Sequence, residues 1–565
     1  MKFTSKLLLA ATLGISTSTL ANSTENSSTE KTIDFYQFTY TGNDDVFSTS
    51  IKANEYRNPI LAGFYPDPSI TRAGDDYYLV NSSFSYFPGV PIFHSKDLVN
   101  WKSLGYVLTT PKQLSLPQQQ SSRGIYAPTI RYHEGVFYMI TTLVDIRGNF
   151  LVTATDPAGP WSDPILLPEI GGIDPDIFFD DDGKAYIAHN DGPIGEPLYE
   201  GHRAIWLWEF DLKNKKVVKD SGRVIVNGGT DISKKPVWIE GPHIYKINGW
   251  YYLLCAEGGT SADHSAVIFR SKSLQGPFIP YEKNPILTQR DLPEDRKNPV
   301  TAAGHADFVQ TKEGEWWAVF LATRAYDKTA YNTGRETFLL PVTWKDGWPV
   351  ILAAGKEIPY VYKAPAIKTR TTNANQLSGN FTWTDKFSSK ALGFEWVSLR
   401  TSESPFYTLT GSTISLNALD VKLDSLEQPA FLARRQQHTR FSASTDFALP
   451  KEKTSAGIVA FQNETAHYYF GARAAEKGGE KGMELFIEQA NKKAPAVIYK
   501  QNHGDVAQPI SLRIQGDAGK ISFYYKNKKG KYIPALEDAD ARILSTEVAG
   551  GFVGTMLGIH ARAER

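Results

Sequence analysis

Short apolar runs alternate with polar turns along the first two-thirds of the chain, and the same order of positions recurs five times. Each repeat begins with a short motif, at positions 67–70, 127–130, 174–177, 241–244 and 305–308. A turn rich in Gly, Asn and Asp follows each motif, and a strand-like run with at least one aromatic residue comes next. Two extended runs joined by such a turn are typical of a β-hairpin. The pattern therefore predicts five antiparallel hairpins and almost no helix.

The spacing of the repeats predicts how these hairpins are arranged. The five motifs begin 60, 47, 67 and 64 residues apart, which is close to the blade periods of β-propellers. Further strand-like runs fill each interval and give four strands per repeat. We therefore predict a five-bladed β-propeller over residues 54–362. A sandwich of irregular hairpins is the alternative, but five repeats in phase favour the propeller.

The repeat is lost after a polar stretch at residues 363–380, which we interpret as a linker. Alternating strand-like runs continue from residue 381 to residue 565 without a repeat. They predict a second all-β domain of the sandwich type. The predicted fold class is thus all-β, a five-bladed β-propeller followed by a β-sandwich domain.

The N-terminus has the pattern of a targeting segment. Two lysines precede an apolar run at residues 7–13, and a segment of small residues ends at Ala21. This order is typical of a secretory signal peptide, and the apolar run is too short to span a bilayer. We predict a signal peptide over residues 1–21, a flexible linker over residues 22–53, and export to the periplasm or the medium.

Composition narrows the class of partner. The chain has 61 basic and 61 acidic residues and no net charge at pH 7, whereas a nucleic-acid partner would favour a basic face. Aromatic residues make up 12% of the chain; most fit strands, and we expect a minority to line a sugar site. The one cysteine, Cys255, excludes an intrachain disulfide. Nothing in the sequence indicates the oligomeric state.

Candidate chemistry lies at one position of the repeat. The first strand of each propeller blade lines the central channel, so equivalent positions form a ring, here Asp67, Ala127, Asp174, Gly241 with Glu240 beside it, and His305. An isolated Asp-Pro pair is more often a turn starter, but three acids in phase indicate a shared site. Carboxyl groups placed close together acquire separated pKa values, as glycoside hydrolysis requires. The role of His305 stays open between channel packing, substrate contact and cation ligand.

Three segments of the chain resemble the catalytic motifs of glycoside hydrolase family 43. They are FYPDPSI at 64–70, GIDPD at 172–176 and EGPHIY at 240–245. Members of that family include β-xylosidases, α-L-arabinofuranosidases and arabinanases. The resemblance covers nearly the whole mature chain, and its C-terminal part is similar to the β-sandwich of exo-acting xylosidase-type members.

The resemblance implies a role for each acid. Asp67 is the general base that activates water, Glu240 is the general acid, and Asp174 orients Glu240 and adjusts its pKa. Because the family inverts anomeric configuration, the carboxyl groups of Asp67 and Glu240 are expected about 6.5–9.5 Å apart. The substrate-binding residues that it implies are Arg335, His305, Tyr126 and Phe84.

The resemblance also bears on cofactors. No metal centre is predicted and no cofactor is required, although a histidine matching His305 helps to hold calcium in some members, so a calcium ion in the channel near His305 stays an alternative. Related members often have Trp-Ala-Pro-Asp where this chain has Tyr126-Ala127-Pro128-Thr129. The stacking ring is retained at Tyr126, and a carboxylate is lost at Thr129.

The predicted function is an inverting, exo-acting hydrolase that releases xylose, L-arabinose or both from the non-reducing ends of plant cell-wall-type oligosaccharides. We expect the sandwich and residues 84–91 to close one end of the pocket, which favours exo action. A non-catalytic carbohydrate-binding propeller is the alternative from a different class. A third candidate is a five-bladed glycosidase that acts on fructans with retention of configuration. The oligosaccharide is the only partner indicated, without nucleic acid or a membrane span.

Overall fold

A computed structural model describes residues 31–367, 377–401, 404–477 and 480–564. It confirms the all-β prediction, with a five-bladed propeller and a β-sandwich. Within those residues the helices are the four-residue α-helix Thr546–Ala549 and three short 3-10 helices, Asp45–Phe47, Ile232–Lys234 and Ala541–Leu544. None of the helices in these ranges is long and apolar enough to cross a membrane. The predicted signal peptide lies outside the described residues.

Five antiparallel sheets form the blades. The first contains Ser69–Ala73, Asp76–Val80, Gly89–Ser95 and Trp101–Leu108, and the second contains Thr129–His133, Val136–Leu143, Gly148–Ala154 and Ile165–Leu166. The third contains Ile173–Phe179, Ala185–Asp191, Ala204–Asp211, Lys216–Val217 and Arg223–Asn227. The fourth contains Glu240–Ile247, Trp250–Glu257, Ser265–Ser271, Ile279–Pro280 and Leu287–Thr288. The fifth contains Val300–Gln310, Trp316–Arg324, Glu336–Lys345 and Trp348–Val350.

The first strands of neighbouring blades contact one another around the propeller axis, and the first strand of blade five contacts that of blade one. The ring is therefore closed, and these strands line the channel as the repeat predicted. A separate strand pair, Glu55–Arg57 with Val361–Lys363, joins the two ends of the propeller. Apolar side chains pack between adjacent blades; Leu79 of blade one, for example, shares a core with Val319 and Leu339 of blade five.

The second unit is a sandwich of two eight-stranded sheets. One sheet contains Tyr407–Leu409, Ile414–Asn417, Thr32–Gly42, Arg440–Phe447, Ile510–Asp517, Lys520–Lys526, Tyr532–Asp540 and Phe381–Asp385. The other contains Ala496–His503, Glu480–Asn491, Ala466–Lys477, Thr454–Asn463, Met556–Ala563, Phe431–Arg435, Val397–Leu399 and Tyr86–Phe87. Buried rings such as Phe38, Phe470 and Phe523 form the core between the sheets.

The flexible linker predicted over residues 22–53 is wrong from Thr32 onward. Thr32–Gly42 is an interior strand of the first sandwich sheet and pairs with strands from the C-terminal part of the chain. Four of its apolar and aromatic side chains are buried, namely Ile33, Phe35, Phe38 and Tyr40. The register shifts between Phe35 and Gln37, so the alternation changes phase in mid-strand. That interruption of the period of two is why the sequence did not reveal the strand. Residues 368–376 of the linker predicted at 363–380 lie outside the described residues.

The sandwich is attached to the propeller beside the channel mouth. The short strand Tyr86–Phe87, which follows blade one's second strand, pairs with Val397–Leu399 of the sandwich. Nearby, the buried Arg324 of blade five donates to Asp44 at 2.6 Å and to Glu336 at 2.7 Å. Because such buried charges need partners, this contact fixes the two units against each other. The sandwich therefore contributes directly to the walls of the pocket.

Candidate active site

The same backbone turn recurs where the chain enters the inner strands. Asp67, Asp174, Gly241 and His305 have φ values of 51°, 56°, 55° and 49°, in a left-handed region that is uncommon for residues other than glycine and is enriched in Asp and His. A Cβ atom on Gly241 would lie 2.9 Å from the His305 ring, so only glycine fits there. The recurring turn explains why the chemistry-bearing residues occupy one position of the repeat.

These turns open into a cavity of about 580 Å³ at the channel mouth. The structure brings together all seven residues that the sequence predicted for the site; the cavity is lined by Asp67, Asp174, Glu240, His305, Arg335, Tyr126 and Phe84. Ala127, the ring member without a functional group, lies in the same lining. The ring inferred from the repeat thus exists as a physical pocket.

Asp67 is a buried carboxylate with two strong donors. Its Oδ1 accepts a hydrogen bond from Arg335 Nη1 at 2.8 Å, and its Oδ2 accepts one from Ser82 Oγ at 2.5 Å. Burial alone would raise the pKa of Asp67, but the Arg335 charge and the Ser82 hydrogen bond outweigh burial, so the pKa lies below its usual value. Asp67 is therefore ionised at neutral pH.

Glu240 and Asp174 are shifted in the opposite direction. Burial and the negative charge of Asp67 raise the pKa of Glu240 to about 7. Burial and the charges of Glu240 and Asp67 raise the pKa of Asp174 well above its usual value, although the Gly241 amide donates to Asp174 Oδ2 at 3.2 Å. The three carboxyl groups share one pocket with separated pKa values: that of Asp67 lies below its usual value, and those of Glu240 and Asp174 lie above theirs.

Arg335 connects the catalytic ring to the sandwich. Besides its bond to Asp67, its Nη1 donates to Thr260 Oγ1 at 3.2 Å and its Nη2 donates to the carbonyl oxygen of Phe552 at 3.4 Å. Phe552 belongs to the sandwich, and its amide donates to Ser122 Oγ of the propeller at 3.0 Å. The loop that carries Phe552 is thus held over the pocket from both sides.

An aromatic wall closes the side of the pocket next to the sandwich. The ring of Phe84 stacks on Phe552 with 6.1 Å between centroids and lies 5.3 Å from the ring of Tyr126. Phe84 and Tyr126 were predicted from the sequence, whereas Phe552 was missed. The repeat cannot reveal Phe552, because that residue lies outside the propeller.

The opposite part of the lining was also missed. Trp238 and Arg203 both face the cavity, and the Arg203 guanidinium carbon lies 4.0 Å from the centroid of the Trp238 ring. Trp238 is two residues before Glu240, so the sequence held a signal for it as the single aromatic residue directly ahead of the third acidic motif. Arg203 does not belong to any motif of the repeat, so the repeat could not reveal it.

The propeller axis beyond the catalytic ring is filled by an ion-pair network. Arg131 donates to Asp307 Oδ2 at 2.8 Å, to His243 Nδ1 at 2.9 Å and to Asp176 Oδ2 at 3.1 Å. Ser69 Oγ also donates to Asp307 Oδ2, at 2.7 Å. These five side chains come one from each blade, so a single guanidinium joins all five blades at the axis.

The residues around His305 do not fit a calcium ion, which takes about six to eight oxygen ligands. Burial lowers the pKa of His305 to about 4, so its ring is neutral. Asp67 is already bound by Arg335 and Ser82, and Arg131 supplies the positive charge on the axis. Among the residues that the structure describes, no group of three or more His, Cys, Asp or Glu side chains is arranged to hold a metal. A calcium ion near His305 stays a prediction.

The arrangement is suited to acid–base chemistry on a small ring. A carboxyl group with a lowered pKa and one with a raised pKa face one cavity, an arrangement in which one group can take a proton from water while the other can donate a proton to a departing oxygen. The aromatic wall lines one side of the cavity, whose volume suits a small ligand.

Comparisons with known proteins identify the two units. Residues 56–349 match the protein family Glycosyl hydrolases family 43, and residues 384–565 match the Beta xylosidase C-terminal Concanavalin A-like domain. The chain is 39% identical to a Xylosidase/arabinosidase of Butyrivibrio fibrisolvens, over 89% of this chain and 95% of that one. It is 35% identical to a Non-reducing end alpha-L-arabinofuranosidase of Bacteroides ovatus, over 91% and 92% of the two chains.

A solved structure is similar over almost the same extent. The crystal structure of a GH43_12 protein retrieved from a capybara gut metagenome superimposes with a TM-score of 0.88 at 42% sequence identity. The match covers 94% of this chain and 99% of that chain.

Proposed function

This chain belongs to glycosyl hydrolase family 43 and is an exo-acting glycosidase, and on that premise we propose that it releases xylose and L-arabinose from the non-reducing ends of plant cell-wall-type oligosaccharides. One observation carries the proposal: Asp67, Asp174 and Glu240 line a single pocket in which the pKa of the first lies below its usual value and those of the others above.

We propose that Asp67 acts as the general base and Glu240 as the general acid. Asp67 takes a proton from a water molecule, whose oxygen attacks the anomeric carbon of the bound sugar. Glu240 donates its proton to the glycosidic oxygen as the bond to the leaving group breaks, so configuration inverts. Asp174, whose Oδ2 accepts a hydrogen bond from the Gly241 amide, positions Glu240 and adjusts its pKa.

The closed end of the pocket supports exo action. Phe84, Tyr126 and Phe552 block the side next to the sandwich, so a chain of sugars cannot pass through the cavity. The terminal sugar enters against this wall, and the remaining oligosaccharide extends toward solvent. The names of two relatives, a xylosidase/arabinosidase and an arabinofuranosidase, support both sugars.

The protein without residues 1–21 is expected to hydrolyse both 4-nitrophenyl β-D-xylopyranoside and 4-nitrophenyl α-L-arabinofuranoside. Release of nitrophenol measures kcat/KM for each glycoside and ranks the two sugars. Proton NMR during the first turnovers identifies the anomer released, which is expected to be the inverted one. No turnover of either glycoside by a folded protein would contradict the proposal.

The same experiment separates the alternative functions. A non-catalytic carbohydrate-binding propeller would bind these sugars without releasing nitrophenol, and it is not favoured because the chain belongs to a family of hydrolases. A glycosidase that forms a covalent intermediate would release the retained anomer first. The anomer therefore decides between inversion and retention without any variant.

We further propose that the protein is exported. The apolar run and small-residue segment at residues 1–21 resemble a secretory signal peptide. Expression of the full chain in a Gram-negative bacterium is expected to yield a protein that begins at Asn22 in the periplasm or medium, as measured by intact mass after fractionation. Protein that still begins at Met1 in the cytoplasmic fraction would contradict export.

A further inference from the structure

Three arginines line the pocket, and they differ in their partners. Arg335 is bound to Asp67, and Arg123 is bound through two nitrogens to Asp145, at 2.6 and 2.5 Å. In the part of the chain that the structure describes, no carboxylate lies within ion-pair distance of Arg203, whose side chain instead covers the ring of Trp238 at 4.0 Å. Arg203 is therefore the pocket cation that is left without a counter-charge.

Backbone hydrogen bonds hold this pair in place. The Trp238 amide donates to the Gly201 carbonyl at 3.0 Å, and the Gly228 amide donates to the Arg203 carbonyl at 2.9 Å. The Tyr199 hydroxyl adds a bond to the carbonyl of Pro236 at 3.0 Å. These bonds fix the backbone on both sides of the pair. Binding of a ligand to Arg203 therefore requires little additional ordering of the protein, which would otherwise weaken the affinity.

The pair lies on the leaving-group side of the pocket. Trp238 is two residues before Glu240, and the charge of Arg203 opposes the rise in the pKa of Glu240. The group that departs receives its proton from Glu240 in the proposed reaction, so that group must occupy the part of the cavity next to Glu240. The Phe84–Phe552 stack forms a separate part of the lining, contributed in part by the sandwich.

We propose that Arg203 and Trp238 form a subsite for the leaving sugar and that this subsite recognises a carboxylate on that sugar, as in a uronic acid. The inference rests on the proposed function. A guanidinium stacked on an indole keeps its in-plane N–H donors free, and this fork matches a carboxylate through two parallel hydrogen bonds. Asp191, which also lines the pocket, is not within ion-pair distance of Arg203 and accepts a hydrogen bond from the Gly192 amide.

Two aryl glycosides that differ in one charge test the inference. They are 4-carboxyphenyl and 4-carbamoylphenyl β-D-xylopyranoside, or the same aryl α-L-arabinofuranosides if that sugar is hydrolysed faster. The wild-type protein is expected to favour the carboxylate with an about ten-fold higher kcat/KM, the size of one charge-assisted hydrogen bond. The carboxylate substrate has the poorer leaving group, so leaving-group chemistry alone would give the opposite order.

Variants assign the preference to Arg203. Arg203→Gln is expected to bring the ratio of the two kcat/KM values to about one, and Arg203→Lys to retain part of it, since lysine keeps the charge but not the fork. Arg123→Gln is the matched control: it removes a pocket arginine that Asp145 already neutralises, so the ratio should persist. Melting temperatures confirm that each variant is folded.

The outcomes are distinguishable. A ratio near one in the wild-type protein, or an equal fall on both substrates in Arg203→Gln, would overturn carboxylate recognition and leave the hydrolase intact. Persistence of the preference in Arg203→Gln would overturn the assignment to this residue. No turnover of either substrate by the wild-type protein would instead overturn the proposed function on which the inference rests.

Discussion

Replacing Asp67 with asparagine is expected to lower kcat by about 10³- to 10⁴-fold on every glycoside, whatever its leaving group. The amide has nearly the same shape but cannot take a proton from water, and attack by that water is part of the displacement whichever aglycone departs. Because Arg335 loses its buried counter-charge at 2.8 Å, the melting temperature should also fall. Steady-state kinetics well below the new melting temperature, on aryl glycosides with good and poor leaving groups, measures the effect.

Ser82→Ala is the matched control for this variant. It removes the 2.5 Å hydrogen bond to Asp67 Oδ2 and keeps the carboxylate. That bond favours the ionised form, so its loss raises the pKa of Asp67, and the acidic limb of the pH profile moves to higher pH while most of the maximal rate remains. Asp67→Asn with more than a tenth of the wild-type kcat would show that the base lies elsewhere.

The position of the acids was predictable because four of the five blades repeat one backbone turn at the ring position. Asp67, Asp174 and His305 adopt the same left-handed conformation at the same place in their repeats, so phase in the sequence became proximity in space. No such rule covers Phe552. That residue reaches the pocket from a loop of the sandwich, and its placement depends on how two separately patterned units pack.

The ion-pair network on the propeller axis was only partly predictable from the sequence. Asp176, His243 and Asp307 each lie two residues after the catalytic ring position, so the repeat aligns them as well. The cation that joins them, Arg131, is four residues after Ala127 and is out of phase with them. Its long side chain extends to the axis from a position farther along its strand. The position of a residue within the repeat does not predict how far its side chain extends.

Glu240→Gln is expected to give a loss that depends on the leaving group, unlike the loss in Asp67→Asn. Hydrolysis of xylobiose, whose sugar alkoxide must be protonated as it departs, should slow by about 10³- to 10⁴-fold. Hydrolysis of 2,4-dinitrophenyl β-D-xylopyranoside should slow by less than about ten-fold, because that phenolate departs without a proton. An equal loss on both substrates would contradict the assignment of Glu240 as the general acid.

The pH profile supplies a second signature of the same residue. The pKa of Glu240 is raised to about 7, and the reaction requires its protonated form, so wild-type kcat on xylobiose should fall as pH rises above about 7. The activity of Glu240→Gln on the dinitrophenyl glycoside should lack that alkaline limb while retaining the acidic limb of Asp67, whose pKa is lowered. The two carboxyl groups then account for the two limbs separately, because burial beside Asp67 raises one pKa and the Arg335 charge lowers the other.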